Sequence, residues 1–310
     1  MRGQPSYGTR SGGPGSGPGP LGDLLLKYRH EHHAGNFADV HKHITLLALL
    51  AALRRKDKGF LYLETHAGRG AYDLSGPAGE SASGIGRLEA QLRSSGAREP
   101  VAEEIRAYLA RVELLRRERG EPRLYPGSPL LAMSELRPVD RAVFIESQPP
   151  EARALERALS SSPDPAHIIN VSDGFERLRA WLPPRERRGL TFIDPPYEQS
   201  RQDFERTRHA AAEALRRFPT GRVVVWYPIK DERDTAAWHA ALAAELDCPL
   251  LAGELSLYRR DSRVALNGSG MLILNPPYQL DERMAIWLPH LHACLDLGHG
   301  GGGTVLQLKV

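Results

Sequence analysis

Short apolar runs alternate with amphipathic stretches along most of this chain, and that alternation sets the expected architecture. Runs at residues 60–64, 141–146, 167–170, 190–193, 222–226, 250–258 and 271–274 are rich in aliphatic, β-branched and aromatic side chains, as expected of strands. Between them, helices are predicted over 40–55, 150–159, 174–181, 202–217 and 235–246. In the first, Leu46, Leu47, Leu50 and Leu53 form the buried stripe, and Asp39 or Asn36 supplies the cap. Strands alternating with helices predict an α/β fold of Rossmann-like type, with a doubly wound, mostly parallel sheet. The last two strands, joined by a loop at 259–269, read as a hairpin that adds an antiparallel edge.

One block breaks this rhythm. Residues 75–139 separate the first strand from the second, and Ala, Arg, Glu and Leu dominate 87–119. Two amphipathic helices fit, near 84–93 and 101–119, and a further short one opens after the rigid turn Tyr125-Pro126-Gly127-Ser128-Pro129. The block reads as an inserted helical subdomain, with residues 23–74 and 140–310 forming the main domain. Its basic face (Arg106, Arg111, Arg116, Arg117, Arg119) is either solvated surface or a phosphate contact. Arg259, Arg260 and Arg263, in the hairpin loop, are the better of the two candidates for phosphate, with a plain solvated loop as the alternative. Residues 1–22 are Gly-, Pro- and Ser-rich, with too few apolar groups to offset ordering entropy, so a disordered tail is expected there.

Composition narrows the classes. A 310-residue chain that is 41% hydrophobic can bury a full core, and a net charge of +3 is compatible with a nucleic-acid substrate without requiring one. Cys248 and Cys294 lie far apart without metal spacing, which argues against a disulfide framework and fits a reducing compartment. The longest apolar run, 44–53, is too short to span a bilayer. A cytoplasmic protein without membrane attachment is expected.

The candidate chemistry gathers at strand ends. Asp194-Pro195-Pro196-Tyr197 follows an apolar strand, and two prolines stiffen the turn and remove two backbone donors. The Asp194 carboxylate and the Pro195 carbonyl are two acceptors that could hold the N–H bonds of an exocyclic amino group. Tyr197 could stack on the base that carries it. A strand-terminating proline turn without chemistry is the bland alternative. Gly68 and Gly70 follow the first strand and allow a tight turn against a ligand lacking a pyrophosphate, such as S-adenosylmethionine. Glu146 ends the second strand, where a carboxylate takes ribose hydroxyls in nucleoside-binding folds. Asp173, in the next loop, accepts from an adenine amino group or caps a helix. Asn275-Pro276-Pro277-Tyr278 repeats the proline turn almost unchanged. A doubly wound sheet places the strand of Asp194 beside that of Gly68, whereas Asn275 ends a late strand near the sheet edge, so Asn275 is assigned a structural role. The histidine-rich entry (His30, His32, His33) reads as a metal site, a solvated loop or a lip over the active site.

Taken together these segments resemble the J-type methyltransferases that modify an adenine N6 in large-subunit ribosomal RNA, the RlmJ family. The residues that carry the resemblance are Tyr28-Arg29-His30, His33-Ala34-Gly35-Asn36, Ala38-Asp39-Val40, Lys42-His43, Phe60-Leu61-Tyr62-Leu63, Thr65-His66-Ala67-Gly68, Tyr125 to Pro129, Glu146, Asp173-Gly174-Phe175, Asp194 to Tyr197 and Trp226-Tyr227-Pro228. The resemblance implies a class I S-adenosylmethionine-dependent methyltransferase with ribosomal RNA as partner and no metal, expected to act as a monomer. It implies that His43, His66, Ser128, Glu146, Asp173, Gly174 and Asp194 contact S-adenosylmethionine, that Asp194 is also the proton acceptor, and that Tyr28 contacts the RNA. It turns the histidine-rich entry into a lip over the site. The rival readings are a DNA adenine or RNA guanine amino-methyltransferase, a non-catalytic RNA-binding protein and a metal protein built on His30, His32 and His33. The tail and the glycine run at 298–303 are expected to carry no chemistry.

Overall fold

The computed structural model describes residues 34–75, 80–95, 101–160, 166–198, 200–259, 262, 264 and 266–310. The expected tail at 1–22, Tyr28, His30, His32 and His33, together with Arg260 and Arg263, lie outside the described residues.

Among the described residues the strands are β1 (Leu61–Glu64), β2 (Ala71–Asp73), β3 (Leu124–Pro126), β4 (Arg141–Glu146), β5 (Ala166–Val171), β6 (Gly189–Ile193), β7 (Arg222–Ile229), β8 (Leu250–Ser256), β9 (Gly268–Leu274) and β10 (Gly302–Lys309). The helices are α1 (Phe37–Arg54), α2 (Ile85–Ser95), α3 (Glu103–Arg119), α4 (Ser128–Glu135), α5 (Pro149–Leu159), α6 (Gly174–Arg177), α7 (Ser200–Arg217), α8 (Glu232–Glu245) and α9 (Leu280–Leu295). All strands but β2 and β3 form one sheet, in the order β5-β4-β1-β6-β7-β9-β8-β10. The first five are parallel, with the order reversing on either side of β1, as a doubly wound sheet requires. The β8–β9 hairpin is present as expected, but it does not make the edge. β9 inserts antiparallel between β7 and β8, and β10, which sequence patterning missed, is the outermost strand. Its residues are nearly all half-buried, as at an edge, and the adjacent apolar pair Val305-Leu306 and the preceding glycine run leave no clean alternation to read.

Strand alternation feeds two apolar layers. Tyr62, Phe144, Phe192 and Val224 face one cluster with α1, α3, α4 and α9, while Leu63, Ile145, Ile193 and Val225 face another with α7 and α8. Helix α1 is buried on nearly every side. It starts at Phe37, earlier than its apolar stripe suggests, because both candidate caps are used: Asn36 Oδ1 accepts from the Asp39 amide and the Asp39 carboxylate accepts from the Gly35 amide, each at 3.0 Å. Residues 75–139, expected to be an inserted subdomain, carry α2, α3, β3 and α4; β3 pairs with β2 outside that range, and Ile105, Tyr108, Val112 and Leu115 of α3 join the same cluster as α1. Arg116 pairs with Glu89 at 2.6 Å, Arg111 with Glu135 at 2.5 Å, and Arg119 donates to the Ala158 carbonyl. Those three arginines are spent on internal ties, so the expected basic face is not a continuous one.

Candidate active site

β1 lies between β4 and β6, and all three end at the same edge of the sheet. Because Tyr62, Phe144 and Phe192 face the layer that contains α1, the carboxylates two residues further on (Glu64, Glu146 and Asp194) leave on that side too. The turn after β1 is stitched to both neighbours: the Thr65 amide donates to the Phe192 carbonyl at 3.0 Å and the Ala67 amide to the Ile145 carbonyl at 2.9 Å. Gly68 and Gly70 sit at φ +62° and +77°, and a Cβ on Gly70 would lie 2.6 Å from Leu155 Cδ1, so both the backbone shape and the packing call for glycine. The Gly68 amide donates to Glu146 at 2.8 Å, and the Gln148 amide holds the other Glu146 oxygen at 2.8 Å. The Gly127 amide donates to the Gly70 carbonyl at 2.8 Å, bringing the start of α4 and Ser128 to the same place.

Ser128 donates its hydroxyl to Glu64 at 2.5 Å, and Tyr62 donates to the other oxygen at 2.9 Å. Burial is the main influence on Glu64 and raises its pKa to about 8 despite these two hydroxyls, so the carboxyl is neutral at pH 7. Asp173 caps α6, accepting from the Glu176 amide at 3.1 Å, and pairs with Arg206 at 2.8 Å. Partial burial pulls its pKa up, but these hydrogen bonds outweigh that and the net shift is downward. A Cβ on Gly174 would fall 1.9 Å from the Thr65 carbonyl, so only glycine lets α6 press against the end of β1. His66 is hydrogen-bonded to Thr65 at 2.8 Å and packs edge-on to Phe175. His43 is buried in α1 with Nδ1 3.1 Å from the Tyr125 hydroxyl, and burial lowers its pKa to about 3, leaving it neutral.

The residue to which sequence reasoning assigned no role is Lys42. Its ammonium lies 2.7 Å from Asp194 and 2.8 Å from Asp39, with little of any of the three side chains exposed. Burial alone would depress the Lys42 pKa, but Asp194 and Asp39 outweigh it and raise it, so the charge is kept. The available signal was the spacing of Asp39 and Lys42 on one helix turn; the Asp194 partner, distant in sequence, left none. Pro195 is buried and Pro196 exposed. Tyr197 turns to the opposite layer: it is 8% exposed, its hydroxyl donates to the Trp226 carbonyl at 2.8 Å, and its ring packs on Phe204 and Trp226. Trp226 is the half-buried ring beside the ion pair, 5.7 Å from the Lys42 ammonium. Its indole N–H donates to Ser269, which also contacts buried His41. Among the described residues no group of three His, Cys, Asp or Glu could hold a metal, and no helix is long and apolar enough to cross a membrane.

Residues 57–307 match the family model described as ribosomal RNA large subunit methyltransferase D, RlmJ. Over 285 residues the chain is 38% identical to ribosomal RNA large subunit methyltransferase J of Haemophilus influenzae and 37% identical to the Escherichia coli protein of the same name, covering 91% of this chain and 98% of each relative. Among solved structures, protein LPL1258 from Legionella pneumophila matches with a TM-score of 0.79 at 33% identity, over 89% of this chain and 98% of that one.

Proposed function

The chain belongs to the RlmJ family of large-subunit ribosomal RNA methyltransferases, and on that premise we propose that it methylates an adenine N6 with S-adenosylmethionine as donor. The observation that carries this reading is the Asp194 carboxylate, pinned by Lys42 at the end of a strand beside the glycine turn. The donor set fits the cofactor: Glu146 suits the ribose hydroxyls, Asp173 and Gly174 suit the adenine, and the rigid Gly68–Gly70 turn, with His66 and Ser128 beside it, suits the remainder; His43, buried against Tyr125, is assigned to the cofactor by the resemblance. Bound there, S-adenosylmethionine supplies a methyl group on a cationic sulfur that leaves as a neutral thioether.

The protein's own part is alignment. The substrate's amino group donates its two N–H bonds to Asp194 and to the Pro195 carbonyl, which turns the nitrogen lone pair towards the methyl carbon. Because Asp194 already accepts from Lys42, it acts first as an oriented acceptor, and it takes the proton as the new N–C bond completes. Trp226, half-buried beside the ion pair, is the aromatic face against which the base packs; Tyr197, turned to the opposite layer, braces Trp226 from behind, and the resemblance assigns an RNA contact to Tyr28. We assign this reaction to a cytoplasmic monomer.

The test is transfer of radiolabelled methyl to large-subunit ribosomal RNA taken from a strain lacking the gene, followed by nucleoside digestion. The expected product is N6-methyladenosine. Label on guanine, label on DNA in preference to RNA, or no label at all overturns the reading.

A further inference from the structure

A second concavity opens on the same edge of the sheet. β9 is antiparallel to both β7 and β8, so β7 and β8 point the same way and end on the edge where Asp194 lies. β10 pairs antiparallel with β8 and therefore begins there, Gly302 opposite Ser256. Between these ends and the start of α8 lies a cleft of about 680 Å³ lined by Arg233, Arg259, Ser256, Gly302 and Thr304 and by three carboxylates, Asp231, Glu232 and Glu254. Glu254 is 7% exposed and held by the Tyr227 hydroxyl at 3.0 Å, so this carboxylate is fixed in the wall. The glycine run builds the other wall: Gly300 and Gly301 are left-handed, and a Cβ on Gly301 would meet the Ser256 carbonyl at 2.3 Å. The Arg259 amide donates to the His299 carbonyl at 3.3 Å, and Tyr258 stacks on His299. The run expected to be a passive addition is thus a close-fitting turn.

We propose that this cleft is a subsite for one unpaired nucleotide of the substrate RNA, a few residues along the strand from the target adenine; this rests on the reading of the protein as an RNA adenine methyltransferase. Three strand spacings separate β6 from β8, about 14 Å in all, a distance that an RNA strand covers in a few nucleotides. The volume falls within the usual range for small-ligand sites and is too small for a duplex. Sequence-specific RNA recognition works by splaying single-stranded bases into such pockets. Glu254, Ser256 and Thr304 offer acceptors and hydroxyls to a base edge. At the rim the Asp231 carboxylate is taken up capping α8, and Glu232 keeps phosphate off that side, so the backbone passes over Arg233 and Arg259.

Gly302 supplies a direct test. No atom lies within 4 Å of a Cβ built on it and its φ is not left-handed, so Gly302→Phe fills the cleft without displacing backbone. Binding of a fluorescent RNA carrying the target adenine and its single-stranded flanks should weaken about tenfold, with the rate at saturating RNA and the affinity for S-adenosylmethionine unchanged. Arg259→Ala should reduce the salt slope of RNA binding by about one. On an RNA trimmed to the target and its nearest neighbours, both variants should equal the wild type. Wild-type affinity of both variants for the untrimmed RNA, or equal weakening on both RNAs, overturns the subsite. A wild type that binds RNA but transfers no methyl group overturns the proposed reaction instead, and the affinity comparison still decides the subsite.

Discussion

Two turns of nearly identical sequence, Asp194-Pro195-Pro196-Tyr197 and Asn275-Pro276-Pro277-Tyr278, follow strands of nearly identical character, yet they sit at opposite edges of the sheet. β6 runs parallel to β1, so Asp194 emerges with Glu64 and Glu146 and meets Lys42. β9 runs antiparallel to β7, so Asn275 emerges where the parallel strands begin. There its side-chain amide donates to the carbonyls of Pro219 and Gly221 at 2.9 and 2.7 Å, and its backbone is left-handed at φ 55°. Tyr197 is 8% exposed and Tyr278 is 83% exposed. A short motif therefore carries chemistry only through the direction of the strand that presents it. The second turn is a loop clasp made of the same letters.

The sharpest way to break this comparison is to remove each polar head in turn. Asp194→Ala should lower methyl transfer on the order of 10³-fold while retaining the fold by circular dichroism. Lys42→Met should cost on the order of 10²-fold in kcat, because Asp194 loses the contact that aims it. Normal kcat in that variant would mean the ion pair is only structural.

The third test concerns pH. The Glu64 carboxyl ionises only near pH 8 in the folded protein but near 4.5 when exposed, so the native state holds an extra proton between those values. Its contribution is therefore full below about pH 4.5 and is lost as pH rises through about 8, at no more than about 1.4 kcal/mol per unit. Urea unfolding from pH 5 to 8 should show that slope, and Glu64→Gln should flatten it. Asn275→Ala should cost about 1–3 kcal/mol in the same assay, through two bereaved carbonyls and a left-handed backbone. Methyl transfer should stay within about twofold, because the turn lies at the edge remote from Asp194. A folded but inactive Asn275→Ala would reverse the roles of the two turns.

Much of the fold was legible because buried strands and helix stripes are local patterns. The order of the first five strands followed from their alternation with helices, and the glycine turn, Glu146 and Asp194 fell at strand ends for the same reason. What the sequence hid depended on distant partners or on weak local signal. The Lys42–Asp194 contact joins a helix to a strand end far along the chain. The arginines of α3 look like a basic stripe until Glu89 and Glu135 arrive from other helices. Asp173 kept two readings open; the structure shows the cap, together with a pair to Arg206, and the adenine contact stands as a proposal. β10 is half-exposed and preceded by glycines, so neither burial nor alternation stood out.

The direction of β10 has a practical corollary. That strand leaves the rim of Asp194 at Gly302 and finishes at the foot of the sheet, with Lys309 opposite Leu250. A fluorophore or affinity handle coupled at that foot would project away from Asp194. That foot is thus the place to immobilise this protein on a sensor while leaving the approach to Asp194 unobstructed.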